Sequence, residues 1–121
     1  MSTYENPPKK LTISDLKQMK HSGEKISCLT AYDASFSALI DQAGVDLLLV
    51  GDSLGMVIQG HDTTLPVTVD DMIYHSRMVA ASRKRAFVIS DLPFASYATS
   101  EQALRNAALI MQSGSVQMVK L

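Results

Sequence analysis

The run of four apolar residues at positions 47–50 constrains the fold of this chain more than any other feature. Its apolar side chains are consecutive and do not alternate with polar ones, which is typical of a strand in a parallel sheet that is covered on both faces. The run passes directly into Gly51, Asp52 and Ser53. A buried strand that ends in a carboxylate and a hydroxyl places polar chemistry at one edge of a sheet.

Strand and helix patterns alternate along the rest of the chain. Strands are predicted over 26–32, 46–53, 86–94 and 115–121, and helices over 12–23, 34–44, 69–84 and 99–114. This order predicts an α/β fold with a parallel sheet and right-handed crossovers. Residues 54–68 are expected to form a loop, and the polar residues 1–11 a flexible arm, so the folded domain is predicted to span 12–121.

Polar caps, glycines and apolar stripes mark the predicted helices. The residues expected to cap or end them are Thr12 with Asp15, Asp33, Thr99 with Gln102, Gly23 and Gly44. The expected inner faces are Met72, Ile73, Val79 and Ala80 on one helix, and Leu104, Ala107, Ala108 and Met111 on another.

Composition excludes several classes of function. Hydrophobic residues make up 46% of the chain and the formal net charge is −1, which is typical of a globular domain without an electrostatic partner such as nucleic acid or an anionic membrane. The basic cluster at 83–85 is expected to be solvated surface. No signal peptide and no apolar run of about 18 residues occurs, so we expect a cytoplasmic protein. Cys28, the single cysteine, is expected to be buried and inert.

Four charged or hydroxyl residues fall at the predicted carboxyl ends of strands, where α/β folds gather their chemistry. They are Asp52, Ser53, Asp91 and Lys120, and Tyr32 and Asp33 fall at the end of the first strand. Neighbouring strands lie about 5 Å apart, so Asp52 and Asp91 are expected to converge. Two close carboxylates repel each other unless a cation lies between them, and oxygen ligands favour Mg²⁺. Lys120 and Ser53 could then hold an anionic substrate.

Each of these residues also has a simpler interpretation. Asp33 is more typical of a helix cap than of a ligand. A single Asp52 or Asp91 could be an ordinary turn residue, so their combination at adjacent strand ends carries the hypothesis. The glycines of GDSLG match no phosphate-binding signature. His75 is expected to be a surface or packing residue, and His61 either lines a site or has a structural role.

Three long segments resemble the ketopantoate hydroxymethyltransferase family. They are VGDSLGMVIQGHDTTLPVTVDDMIYH (50–75), ISDLPFASY (89–97) and QMVKL (117–121), and the resemblance runs from about residue 10 to residue 121. It implies the first four β/α units of a (β/α)8 TIM barrel. It also implies an enzyme of pantothenate biosynthesis that transfers a hydroxymethyl group from 5,10-methylenetetrahydrofolate to 3-methyl-2-oxobutanoate, giving 2-dehydropantoate.

The resemblance further implies roles for single residues. Asp52 and Asp91 match the family's Mg²⁺ ligands, and Asp52, Ser53, Asp91 and Lys120 match its substrate contacts. After the position of Leu121 the family motif continues into a further metal-site glutamate. The family's general base is a glutamate in the second half of the barrel, so it is expected to lie beyond Leu121 and no catalytic base is expected within residues 1–121. We therefore expect this fragment alone to be inactive and poorly soluble, and the full-length protein to be a homo-oligomer.

Three alternatives remain open at this stage. Phosphoenolpyruvate mutase and isocitrate lyase relatives also use Mg²⁺ and 2-oxo acids on a similar barrel, although HDTTLPVT and SDLPFASY favour the hydroxymethyltransferase. A signalling receiver domain has similar length and strand-end acids, but it needs an acidic pair after the first strand, where this chain has Tyr32 and Asp33. The fragment could also lack a function of its own.

Overall fold

The computed structural model describes residues 8–121. Its elements are α1 (Ile13–Ser22), β1 (Cys28–Thr30), α2 (Ala34–Gln42), β2 (Leu47–Val50), α3 (Leu54–Val57), α4 (Val69–Ser82), β3 (Phe87–Asp91), α5 (Ser100–Gly114) and β4 (Met118–Lys120). The predicted alternation of strands and helices is confirmed. The predicted arm lies partly outside the described residues. Within it, the N–H of Leu11 donates to the Arg85 carbonyl at 2.8 Å.

The four strands form one parallel sheet in the order β1-β2-β3-β4. The register pairs Thr30 with Leu49, Val50 with Ser90, and Asp91 with Lys120. Consecutive strands therefore lie side by side, which is the order of a barrel segment and not of a doubly wound sheet, in which the strand order reverses. This order excludes the receiver-domain alternative.

The core lies between the sheet and helices α4 and α5. The fully buried residues Leu48, Val50 and Val88 belong to one apolar cluster that also includes Met72 and Ile110. The burial pattern of β2 alternates between half-buried and buried. The second face of the strand is therefore less covered than its uninterrupted apolar run predicts.

Helix α4 buries the predicted face, since Met72, Ile73, Val79 and Ala80 are all buried. The start of α4 is fixed by a capping box that we did not predict. Thr68 accepts a hydrogen bond from the N–H of Asp71 at 3.1 Å, and the Asp71 carboxylate accepts from the N–H of Thr68 at 3.0 Å. The Thr-x-x-Asp spacing that predicts this capping box at Thr12, where it is confirmed, also occurs here.

The predicted inner stripe of α5 is wrong at three of its four residues. Ala107 packs against the core, but Ala108 is exposed and Leu104 and Met111 are 73% and 42% exposed; the buried residues of the helix are Ile110 and Gly114. A Cβ at Gly114 would lie 3.0 Å from the Cβ of Ser76, so small residues permit close packing of α5 on α4. Backbone proximity, and not side-chain size, determines which face is buried.

Other local expectations met mixed outcomes. Asp33 caps α2 by accepting from the Phe36 N–H at 2.8 Å, as predicted. Thr99 caps α5, but the Gln102 side chain accepts from the N–H of Ala98 and does not complete a capping box. The predicted loop 54–68 begins with the short helix α3.

Two burial predictions are wrong. Cys28 is exposed, because β1 is an edge strand of the described sheet. The part of its side chain that is covered still raises the pKa of the thiol, and a raised pKa disfavours the reactive thiolate. Arg83, expected to be solvated, is buried at the end of α4, where its Nη2 donates to Gln117 Oε1 at 3.3 Å. The connection from α4 to β3 is short, so it carries the Arg83 side chain into the base of the sheet.

Asp46 joins β1, β2 and β3 at the amino ends of the strands. It accepts from the N–H and hydroxyl of Ser27, both at 3.0 Å, and from Arg85 Nη2 at 2.9 Å. Burial opposes ionisation of this carboxyl, but the bonds from Ser27 and Arg85 outweigh it and lower the pKa of Asp46.

We expect Asp46 to contribute stability that depends on pH. Because the folded-state pKa is lowered, the contribution is complete above the unfolded carboxyl value of about 3.9 and is lost as the pH falls through the folded pKa. The measurement is the free energy of urea unfolding for the chain and for Asp46→Asn over acidic pH. The difference in the free energy of unfolding between the chain and Asp46→Asn is expected to become smaller as the pH falls. A difference that does not change with pH would contradict the proposed contribution of Asp46.

Candidate active site

The carboxyl ends of β3 and β4 bring the first two predicted residues together. Asp91 and Lys120 are paired in register, and Lys120 Nζ lies 2.7 Å from Asp91 Oδ1. The Asp91 carboxylate is buried, whereas the Lys120 side chain is 55% exposed. Apart from this ion pair, Oδ1 has no hydrogen-bond partner among residues 8–121. The pair therefore anchors a charged centre at the sheet edge.

The second oxygen of Asp91 links β3 to the end of β2. Asp91 Oδ2 accepts from the backbone N–H of Asp52 at 3.0 Å. Gly51 makes room for this contact, since a Cβ there would lie 3.3 Å from Asp91 Oδ2 and 3.1 Å from Ser53 Oγ. The close approach of two strand ends thus favours glycine at the end of the apolar run, because a larger residue would have to push Ser53 or Asp91 aside.

The charges of the site act on one another. The pKa of Asp52 is raised, first by burial and then by the negative charge of Asp91, although Lys120 and the Thr64 hydroxyl act in the opposite direction. The pKa of Lys120 is also raised, mainly by its bond to Asp91, with smaller contributions from the charges of Asp52 and Tyr97. The contacts of Asp91 with the Asp52 N–H and with Lys120 Nζ bring these three residues to one edge of the sheet.

Ser53 lies beside this centre and is held by a residue that follows β1. Its Oγ lies 2.7 Å from the hydroxyl of Tyr32, and both residues are half-buried. His75 of α4 is buried, and its Nδ1 lies 2.8 Å from the carbonyl oxygen of Tyr32. His75 is therefore a packing residue, and Tyr32 belongs to the site region.

The loop after β3 supports the same edge. The N–H of Leu92 donates to the Lys120 carbonyl at 2.8 Å. Ser96 is buried and donates to the Pro93 carbonyl at 2.6 Å, and Asn106 of α5 donates to the Ser96 carbonyl at 2.7 Å. These bonds fix the loop that carries Tyr97 to the neighbourhood of Lys120.

Sequence reasoning placed Tyr32 at a strand end but did not predict its contact with Ser53. It also did not single out Thr64 and Tyr97, which influence the pKa values of Asp52 and Lys120. Both lie in loops, where no local pattern predicts proximity to a distant strand end. Two residues that the sequence left open as site candidates have other contacts. Asp33 caps α2, and His61 is exposed, with its backbone N–H donating to the Gly55 carbonyl.

Leu121 directly follows β4 and does not belong to the charged centre. It was expected to lie inside the fourth strand, but β4 ends at Lys120 and the Leu121 side chain is 71% exposed. Its apolar side chain offers no ligand atom to the edge that Lys120 closes. The expectation that the general base lies beyond Leu121 concerns residues outside this chain, so it stays a prediction.

The donor set fits a hard divalent cation. A carboxylate offers about four lone-pair positions, and Asp91 uses one oxygen for the Asp52 N–H and the other for Lys120, which leaves positions free. Mg²⁺ typically takes one or two carboxylates and keeps several waters. Within residues 8–121 no group of three or more His, Cys, Asp or Glu side chains is placed to hold a metal ion. At the edge formed by the ends of β2 and β3, the two carboxylate residues are Asp52 and Asp91.

A parallel sheet in consecutive order, with acids and a lysine at its carboxyl edge, defines the class: part of a β/α barrel enzyme. The fold is shared with phosphoenolpyruvate phosphomutase from Streptomyces platensis (TM-score 0.71, 13% identity, 88% of this chain and 36% of that one). It is also shared with phosphonopyruvate hydrolase in complex with oxalate and Mg²⁺ (TM-score 0.69, 13% identity, 82% of this chain and 34% of that one). A third match is 2,3-dimethylmalate lyase, of the PEP mutase/isocitrate lyase superfamily (TM-score 0.64, 20% identity, 88% of this chain and 36% of that one).

The chain belongs to the ketopantoate hydroxymethyltransferase family, whose sequence profile matches residues 10–121. It is similar to the 3-methyl-2-oxobutanoate hydroxymethyltransferase of Nitrosococcus oceani, with 60% identity over 112 residues, and to that of Halorhodospira halophila, with 59% identity over 111 residues. These matches cover 93% and 92% of this chain but 42% and 40% of the relatives. The chain thus spans about two fifths of their length, and the expected partial barrel is confirmed.

One further expectation concerns membranes. Among the residues that the structure describes, no helix is both long and apolar enough to cross a bilayer.

Proposed function

We propose that this chain carries the metal-binding and substrate-binding edge of a ketopantoate hydroxymethyltransferase. The reaction is the transfer of a hydroxymethyl group from 5,10-methylenetetrahydrofolate to 3-methyl-2-oxobutanoate, which yields 2-dehydropantoate. The observation that carries the proposal is the meeting of Asp52, Asp91 and Lys120 at one strand edge, where Asp91 bonds to the Asp52 N–H and pairs with Lys120, in a chain about 60% identical to enzymes of this name. The fold matches at 13–20% identity do not bring the activities of those proteins to this chain.

Each residue of the edge has a chemical role in this proposal. Asp52 and Asp91 hold Mg²⁺, which would polarise the 2-oxo acid and acidify its neighbouring C–H. Lys120 holds the substrate's anionic oxygens, because its ammonium stays protonated with a raised pKa beside Asp91. Ser53 donates a hydrogen bond to the same ligand. The general base is supplied from beyond Leu121, by the part of the enzyme that corresponds to the remaining length of the relatives.

Binding and turnover test this proposal separately. The chain is expected to bind 3-methyl-2-oxobutanoate in isothermal titration calorimetry when Mg²⁺ is present and not when EDTA is added. Turnover is expected only after co-expression with the carboxyl-terminal part of a relative such as the N. oceani enzyme. Turnover by the chain alone would contradict the placement of the general base, and the absence of Mg²⁺-dependent binding would contradict the function.

We expect the Mg²⁺ affinity to fall in acid earlier than for an ordinary carboxylate site. Protons compete with the metal for Asp52, and because its pKa is raised by burial and by Asp91, the competition begins above the usual value of about 3.9. Titrations of Mg²⁺ over about pH 4 to 8 measure this dependence. Asp52→Asn is expected to weaken binding and flatten the profile. An unchanged profile in that variant would exclude Asp52 as a ligand.

A further inference from the structure

The Ser53 hydroxyl has its contact outside its own helix. Ser53 precedes the short helix α3, and its backbone is already helical (φ −54°, ψ −16°), so its side chain makes no cap bond to the first turn. Its Oγ is instead paired with the Tyr32 hydroxyl at 2.7 Å. The hydroxyl of Ser53 is thus engaged by a residue 21 positions earlier in the chain.

Hydroxyl chemistry determines what this pair can offer. Each hydroxyl has one hydrogen to donate and two lone pairs to accept, and the bond between Tyr32 and Ser53 uses one of the two hydrogens. The phenol is the more acidic group, so it is the better donor. When Tyr32 donates, the hydrogen of Ser53 is left free to point elsewhere. The pair thus presents one O–H donor next to Asp52.

Two further contacts restrict where that donor points. A backbone carbonyl can only accept, so the 2.8 Å contact between Tyr32 and His75 places the hydrogen on His75 Nδ1 and holds the Tyr32 backbone to α4. The Ser53 Oγ also lies close to Gly51, since a Cβ added there would be only 3.1 Å from it. The hydroxyl of Ser53 therefore lies between the Tyr32 phenol and the turn that carries Asp52.

We propose that Tyr32 is a positioning residue, which orients the Ser53 hydroxyl toward the anionic oxygens of a 2-oxo acid bound at the Asp52 and Asp91 edge. This inference rests on the proposed function, since it requires that ligand. Tyr32 acts through Ser53 and needs no contact with the metal. Its loss is therefore expected to weaken binding of the acid and to leave binding of the metal alone unchanged.

The test measures two affinities for five forms of the chain: the unaltered chain, Tyr32→Phe, Ser53→Ala, the double variant and Tyr74→Phe. Calorimetry gives the affinity for Mg²⁺ alone and then for 3-methyl-2-oxobutanoate at saturating Mg²⁺. Tyr74→Phe is the matched control, because it removes the hydroxyl of an exposed tyrosine on α4. Circular dichroism of each form verifies the fold.

Loss of one hydrogen bond is expected to weaken binding of the oxo acid about 5- to 15-fold in Tyr32→Phe and in Ser53→Ala. Because both act through one donor, the double variant is expected to bind within about twofold of Ser53→Ala. The affinity for Mg²⁺ alone is expected to be the same in all five forms. Tyr74→Phe is expected to bind the oxo acid as tightly as the unaltered chain does.

The other outcomes overturn the inference in distinguishable ways. An unaltered oxo-acid affinity in Tyr32→Phe, additive losses in the double variant, or equal losses for metal and acid would show that Tyr32 is merely structural while the proposed function stands. An unaltered chain that binds no oxo acid with Mg²⁺ would overturn the proposed function, and the inference falls with it.

Discussion

Replacing Asp91 with asparagine is expected to lower the affinity of the chain for Mg²⁺ by more than about 100-fold, since loss of an outer-shell partner alone costs about 10- to 100-fold. Asp91 is the buried member of the carboxylate pair, and it also holds Lys120 at 2.7 Å and the Asp52 N–H at 3.0 Å. The substitution removes the charge and keeps the size. Titration of Mg²⁺ by calorimetry measures the loss, and 3-methyl-2-oxobutanoate is expected not to bind.

Asp33→Asn is the matched control for this experiment. Asp33 follows strand β1, two strands away from Asp91 in the same sheet, but its carboxylate caps α2, and asparagine is as good a cap. The control should therefore keep both the fold and the Mg²⁺ affinity. If Asp91→Asn and Asp33→Asn bind Mg²⁺ equally well, the metal does not lie between the ends of β2 and β3.

Replacing Asp41 with alanine is expected to lower the free energy of unfolding by about 3–5 kcal/mol, because several backbone donors lose their acceptor at once. The Asp41 carboxylate is buried at the end of α2 and accepts from the N–H groups of Lys84 at 2.6 Å, Arg85 at 3.2 Å and Ala86 at 2.7 Å. These bonds hold the connection that leads into β3. Urea unfolding followed by circular dichroism measures the change.

A second aspartate on the same helix separates this effect from the general loss of a carboxylate. Asp33→Ala removes one cap bond and is expected to cost about 1 kcal/mol. The two variants lose the same side chain from opposite ends of α2. Equal losses in both would show that Asp41 does not hold the α4–β3 connection.

Local sequence patterns determined the elements of this protein and the composition of its site. The apolar run 47–50, the Thr-x-x-Asp spacing at Thr12 and the buried face of α4 depend on neighbours within one or two turns of chain, so they can be read without a fold. Parallel strands also place all their carboxyl ends at one edge, which is why Asp52, Asp91 and Lys120 could be grouped in advance.

The tertiary structure alone decided which side chains are covered and which atoms meet. Leu104 and Met111 form a helical stripe, but the close approach of α5 to α4 at Gly114 buries a different face. Arg83 is buried for a similar reason, since its surroundings come from Gln117, far along the chain.

Two features of the site also depend on residues that are distant in the chain. They are the contact between Tyr32 and Ser53 and the close approach of Gly51 to Asp91. A sequence pattern reports the spacing of residues along one element, whereas burial and hydrogen bonding depend on the distance between elements. The sequence therefore determined that acids follow the strands. Only the packing of β1, β2 and β3 decided that the Tyr32 hydroxyl and Gly51 lie close to Ser53.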